Sequence, residues 1–189
     1  MKISLNWLRD FVDIPAKYSG KEIGDLLTLR TCEVEDVQDL GAEFANMVVG
    51  RVVSIRPHPN ADKLRLVDTD IGEKTVQVVC GGANVLEGML VPVALPGAKV
   101  KWHGEGEPVV LEEAKIRGET SVGMICAGEE IGLESDNLPG QSEVHIHDLS
   151  GLNVKPGTGL AEALSMKDVV LDIDNKSLTH RPDLWGHYG

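Results

Sequence analysis

Residues 47–70, MVVGRVVSIRPHPNADKLRLVDTD, constrain the fold more than any other stretch. They read as strand, turn, strand. Residues 48–55 are rich in β-branched side chains with Gly50 as the one breaker, a composition that fits a pleated, half-buried surface. Pro57, Pro59 and Asn60 stop the run, because proline removes a ladder donor and Asn favours turns. Residues 64–70 resume as extended chain, with Leu64 and Leu66 on one face. The turn carries His58, Asn60, Asp62 and Lys63. Polar groups on a loop between stiff strands are a common setting for function.

The chain after this hairpin is strand-rich. In residues 74–80, Val76, Val78 and Cys80 alternate with Thr75, Gln77 and Val79. Residues 81–84 form a loop expected to lead into a single helical turn ended by Gly88. Residues 89–95 predict a strand, and Pro92 within it suits an edge or a bulge. Residues 99–108 are a polar loop and residues 109–116 are extended. Gly118 turns the chain, and residues 121–127 place Val122, Met124 and Cys126 on one face. About five short strands with Gly and Pro turns and no long helix predict a closed or nearly closed β-barrel over residues 41–149.

The flanks read differently. Residues 2–4 suit a short strand, and Ser4 caps a helix expected to run through Phe11 with Leu5, Leu8 and Val12 on one face. Ser19 and Glu22 have the spacing of a capping box, so a second helix starts there. Residues 33–40 place Val34 and Val37 among acids, as in an edge strand. Residues 136–148 are polar and SGLNVKPGTG resembles a linker. Residues 160–164 are a short helix candidate capped by Thr158, and residues 168–174 a strand. Pro182 suits the start of a further helix, so the chain reads as a piece of a longer one. Trp7, Phe11, Trp185 and Tyr188 are expected to pack between the flanks. Each flank is too small for its own core. The expected architecture is mixed α+β: residues 1–40 and 150–189 form one split α+β domain, with residues 41–149 inserted.

Charge limits what the inserted region binds. The net charge is −12, and residues 41–148 hold nine Lys and Arg against seventeen Asp and Glu. Nucleic-acid affinity comes largely from Lys and Arg on phosphates, so any RNA contact is a local patch and a weak one. The same region has only Phe44 and Trp102 as aromatic residues, which leaves few platforms for stacking bases. Three widely spaced cysteines, Cys32, Cys80 and Cys126, suit reduced thiols in a cytoplasmic protein. No apolar run is long enough for a transmembrane helix and no signal peptide is recognised, so no membrane association is expected. His58, His103, His145, His147, Cys80 and Cys126 lack zinc-ligand spacing, and no catalytic nucleophile or carboxylate pair stands out. Residues 81–84 lack the Gly-Lys-Ser/Thr ending of a phosphate loop. No metal, cofactor or catalytic residue is therefore assigned to this stretch of chain.

Three segments carry a family resemblance: MKISLNWLRDFVDI at the start, VVGRVVSIRPHPNADKLRLVDTDIG through KIRGETSVGMICAGEEIGL in the middle, and VVLDIDNKSLTHRPDLWGHYG at the end. Together they resemble the N-terminal part of the bacterial phenylalanyl-tRNA synthetase β subunit. The middle is similar to the EMAP-type tRNA-binding domain, an OB-fold. The resemblance covers essentially the whole chain. It implies an OB-fold barrel inserted into a split α+β domain, and membership of an α2β2 ligase that charges tRNA with phenylalanine using ATP and magnesium. It places the aminoacylation site on the α subunit, so this stretch is expected to be non-catalytic.

The cations available are Arg51, Arg56, Lys63, Arg65, Lys99, Lys101, Lys115 and Arg117. Arg51 and Arg65 lie on the first two strands and are expected to share a face. Lys115, Arg117, Ser121 and Asn84 match positions of the EMAP-type motif. The candidate RNA contacts are thus Arg51, Lys63, Arg65, Asn84, Lys115, Arg117 and Ser121. Solvated charges balancing the acids are the bland alternative. Two further functional readings stay open: an interaction module that no longer binds RNA, and a free-standing tRNA-binding protein, for which the flanks would be superfluous.

Overall fold

A computed structural model describes residues 1–134 and 144–187. In chain order the elements are β1 (Lys2–Ser4), α1 (Leu5–Leu8), α2 (Gly20–Arg30), β2 (Glu33–Asp39), β3 (Met47–His58), β4 (Ala61–Asp70), β5 (Thr75–Cys80), β6 (Leu90–Ala94), β7 (Lys99–Val100), β8 (Val109–Val110), β9 (Ala114–Ile116), β10 (Glu119–Ser121), β11 (Met124–Ile125), α3 (Leu160–Ala163) and β12 (Val169–Asp174). The chain divides into two compact units, Met1–Ala42 with Ser165–Gly189, and Glu43–Leu164. No helix among the described residues is long and apolar enough to cross a membrane.

The first unit is a three-stranded antiparallel sheet in the order β1-β12-β2. Ser19 starts α2 with a capping box: its hydroxyl accepts the Glu22 N–H at 3.3 Å, and Glu22 accepts the Ser19 N–H at 2.8 Å. Gly24 packs α2 onto β2, where an added Cβ would lie 2.9 Å from Val37. Leu5, Ile23, Leu171 and Ile173 form the core. Asp168 joins the two ends of the chain, accepting the Asn6 N–H at 3.0 Å and bonding the Ser4 hydroxyl. The expected helix through Phe11 stops at Leu8 and continues only as turns. Phe11 and Val12 are exposed, so no buried face holds a second turn. The expected aromatic packing differs as well. Trp7 meets Phe11 edge-on at 5.9 Å and His187 at 5.6 Å, but Trp7, Phe11 and Trp185 are each largely exposed. Tyr188 and residues 135–143 lie outside the described residues.

The second unit is built on a five-stranded antiparallel sheet, β11-β6-β3-β4-β5. Its inward face carries Val52, Val67, Val76, Val78, Cys80, Val91, Val93 and Ile125, all buried. The described strands pair as an open order, with β5 and β11 as the edges of this sheet. β10 covers the edge of β5: the Val122 N–H donates to the Gln77 carbonyl and the Val79 N–H to the Ser121 hydroxyl, each at 2.9 Å. β6 is internal, although Pro92 suited an edge. Pro92 lies opposite Val49, whose N–H goes to the Thr158 carbonyl and whose carbonyl accepts the Gly157 N–H, both at 2.8 Å. The missing proline donor therefore costs β3 nothing. The expected helical turn after residues 81–84 is reduced to a single hydrogen-bonded turn, in which the Met89 N–H donates to the Leu86 carbonyl at 3.2 Å.

These bonds to Val49 also explain the placement of residues 150–164. Their composition suits a linker continuous with the flank, yet they belong to the sheet unit. Leu149 and Leu160 are buried, and the Leu149 N–H donates to the Leu90 carbonyl at 2.9 Å. α3 is capped by Gly159 rather than Thr158.

Candidate nucleic-acid interface

The β3–β4 turn is tight, with His58 paired to Ala61 and only Pro59 and Asn60 between them. His58 is 5% exposed. Its Nδ1 accepts the Asn60 N–H at 3.0 Å, which leaves Nε2 as the protonated nitrogen donating to the Ile116 carbonyl at 3.1 Å. Asn60 Nδ2 donates to the Arg117 carbonyl at 3.0 Å, and Arg117 Nη1 lies 3.5 Å from the Asn60 carbonyl. The β3–β4 turn is thereby joined to the β9–β10 hairpin. Arg117 and Gly118, at φ +51° and +102°, are the two central residues of that hairpin. Positive φ at both positions is what a type I′ turn requires. The non-glycine member is disfavoured by about 1 kcal/mol or more, and the bond from Asn60 to its carbonyl supports it.

The joint brings together cations far apart in sequence. Lys63 lies just beyond the β3–β4 turn, and Lys115 and Arg117 lie on the hairpin; all three are exposed. The other four candidate residues are placed differently. Arg65 points inward opposite Cys80. Its guanidinium donates to the Val85 carbonyl at 3.2 Å and to the Gly82 carbonyl, so it braces the β5–β6 connection. Asn84 donates to the Ile146 carbonyl and accepts the Ile146 N–H, both at 2.8 Å. Ser121 is buried; its hydroxyl accepts from Val79 and donates to the Gly123 carbonyl at 2.9 Å. Arg51 is exposed and faces Asp70 across the ladder.

Arg51 and Arg65 do not share a face. β4 runs without a bulge from Arg65 to Asp70 against β5. Five steps along a strand reverse the side-chain direction, so Asp70 and its partner Arg51 point outward where Arg65 points inward. On that outer face Arg56 is neutralised by both oxygens of Asp68 at 3.0 Å, and the Ser54 hydroxyl adds a bond to Asp68 at 2.8 Å.

Two residues outside the seven candidates shape the site most: His58 and Asn60 hold the two tips together. Their polarity in a two-residue turn is visible in the sequence, but their partners at 116 and 117 are not. Cys80 and Cys126 are buried among apolar side chains, and burial pushes both thiols above the ordinary range, which keeps them unreactive. Among the described residues no three His, Cys, Asp or Glu side chains gather as a metal site.

A phenylalanine–tRNA ligase beta subunit from Chlorobaculum tepidum is 43% identical over 190 residues, which is 100% of this chain and 22% of that protein. The one from Syntrophus aciditrophicus is 38% identical over 178 residues, 92% of this chain and 20% of that protein. The chain thus spans about a fifth of the length of the curated relatives it matches. Among solved structures, the C-terminal domain of Plasmodium vivax p43 aligns with 59% of this chain and 56% of that one at 24% identity, with a TM-score of 0.40, a likeness too partial to decide the fold. Residues 47–146, from the start of β3 through the Asn84–Ile146 latch, match the family described as "Putative tRNA binding domain", and the chain belongs to that family.

Proposed function

We propose that this chain is a tRNA-binding and scaffolding part of a phenylalanine–tRNA ligase beta subunit, non-catalytic by itself. Its partners are then tRNA, the remaining beta-subunit domains and an alpha subunit in an α2β2 enzyme of the cytoplasm. ATP and magnesium belong to the aminoacylation site elsewhere in that enzyme. The relatives, each a beta subunit matched over nearly all of this chain, support this assignment. The sheet unit is read as an OB-type barrel, supported by its five antiparallel strands and by β10 bridging the β5 edge. The other unit is read as one α+β domain interrupted by it.

The joined hairpin tips are the observation that carries the RNA-binding reading. They hold Lys63, Lys115 and Arg117 at one rim, with Arg51 as a further outward cation. Arg65, Asn84 and Ser121 support that rim from within. Loops at the end of a small barrel suit oligonucleotide binding, and three cations suit a modest, salt-sensitive affinity. The test is titration of labelled bulk tRNA at low and physiological salt. Binding should weaken with salt. Lys115→Ala with Arg117→Ala should weaken it further and lower the log–log salt slope by about 0.7–0.9 for each phosphate no longer neutralised. Absence of binding even at low salt would refute this role. The net charge of −12 favours the second reading in that case, a module that only packs against other domains.

A further inference from the structure

Among the described residues, the most exposed aromatic group of the sheet unit lies outside the joined tips. β7 and β8 form a small hairpin, Lys99 opposite Val110 and Val100 opposite Val109. Val100 is buried and anchors it. Leu111 closes its base, donating to the Ala98 carbonyl and accepting the Gly97 N–H, each at 2.8 Å. The turn beyond β7 is strained: His103 has φ +54°, followed by Gly104 at +75°. A non-glycine residue persists there only where its surroundings over-determine it. They do so here. The Lys101 N–H donates to the Glu130 carbonyl at 2.8 Å. The Glu130 carboxylate, 5% exposed, accepts the Ala127 N–H at 2.8 Å. Gly104 rests on Glu129, whose Cβ would lie 2.9 Å from an added methyl.

The outermost side chain of this braced turn is Trp102, 59% exposed, with its ring edge-on to His103 at 5.6 Å. An aromatic ring held in water by a braced backbone is a ready stacking surface, because its position needs no rearrangement of the turn. Lys99 and the extended Lys101 are two residues apart on one side of the chain, and both are exposed. Glu105 and Glu107 follow them and cancel their charge. The hairpin therefore has little net pull on a polyanion, and its affinity has to come from the ring.

We propose that Trp102 is a stacking platform for an unpaired base of bound RNA, with Lys99 and Lys101 against the adjoining phosphates, as a second contact separate from Lys63, Lys115 and Arg117. The proposal rests on the tRNA-binding reading, whose family match includes this hairpin. The test uses the chain carrying Trp7→Phe and Trp185→Phe, so that Trp102 is the only indole. Anisotropy of labelled RNA reports binding and tryptophan emission reports the ring. Bulk tRNA should quench the emission, and a blunt RNA duplex should not. Trp102→Ala should weaken tRNA binding at least about 5-fold with an unchanged salt slope, and Trp102→Phe should retain part of the affinity. The Lys115→Ala, Arg117→Ala pair should instead change the slope and leave the quenching at saturation intact. If tRNA binds but the emission is unmoved and Trp102→Ala stays within about twofold, this proposal is overturned and the general reading survives. The ring would then be a surface for a protein. If tRNA does not bind at low salt, both fall.

Discussion

Asn84 offers the sharpest contrast between a side chain that touches RNA and one that supports the part that does. Its amide pairs with both backbone groups of Ile146 at 2.8 Å, and the Ala83 N–H adds a bond to Val144 at 2.9 Å. Ile146 is 2% exposed and closes over Gly82, where a Cβ would meet it at 2.4 Å. Asn84→Ala removes two hydrogen bonds worth about 1 kcal/mol each. It also leaves the Ile146 N–H and carbonyl partly buried without partners, for a total of roughly 2–4 kcal/mol. In a unit of this size that corresponds to a fall in Tm of about 6–15 °C. Asn84→Asp keeps the acceptor, loses the donor, and sets a carboxylate against the Ile146 carbonyl, so it should be at least as harmful. Urea unfolding followed by far-UV circular dichroism measures the loss as a lower midpoint at constant slope. Well below the transition, tRNA affinity of Asn84→Ala should stay within about twofold of the parent. Stability unchanged within about 0.5 kcal/mol, together with a roughly tenfold loss of affinity, would refute the reasoning and return Asn84 to the RNA surface.

Two further substitutions test the interior of the same unit. Thr69 is fully buried between Val52 and Val76 on the ladder, and its hydroxyl has no hydrogen-bond partner among the described residues; Thr69→Val keeps the shape and should stabilise by about 1 kcal/mol in urea unfolding. A destabilised valine variant would mean that the hydroxyl is satisfied in solution. Burial raises the Glu130 carboxyl above its ordinary range, and the Ala127 N–H and His103 offset this only in part. A group with a raised folded-state pKa contributes stability at acid pH that is lost as pH rises through that value. Glu130→Gln keeps the acceptor without the charge, so its stability relative to the parent should increase as pH rises above the ordinary carboxyl range of about 4; a difference that does not grow with pH would show an ordinary carboxyl.

Much of the fold was legible because its signals are local. The capping box of Ser19 and Glu22, the alternation of Val76, Val78 and Cys80, and the Pro-Asn turn after β3 each involve residues within a few positions of one another. The candidacy of Lys63, Lys115 and Arg117 also followed from the sequence, by charge and, for the latter two, by match to the family motif. The roles of Arg65, Asn84 and Ser121 did not, although all three stood among the candidate contacts. Each spends polar atoms on backbone groups of another segment: Arg65 on Gly82 and Val85, Asn84 on Ile146, and Ser121 on Val79. A polar side chain looks the same in sequence whether it faces solvent or an unpaired carbonyl.

The sequence alone determined most of the strands, the caps at Ser4 and Ser19, the apolar faces and the excess of acid, since periodicity and charge are properties of neighbouring residues. The tertiary structure decided which cations remain exposed, which face Arg51 and Arg65 take, and that Pro92 sits inside a sheet. Those outcomes depend on what crosses each element from elsewhere in the chain. Residues 157–158 satisfy Val49 opposite Pro92, Ile146 answers Asn84, and the hairpin around Arg117 answers His58 and Asn60. Backbone donors and acceptors must find partners once they are buried, and the search for those partners assigned each polar side chain its role.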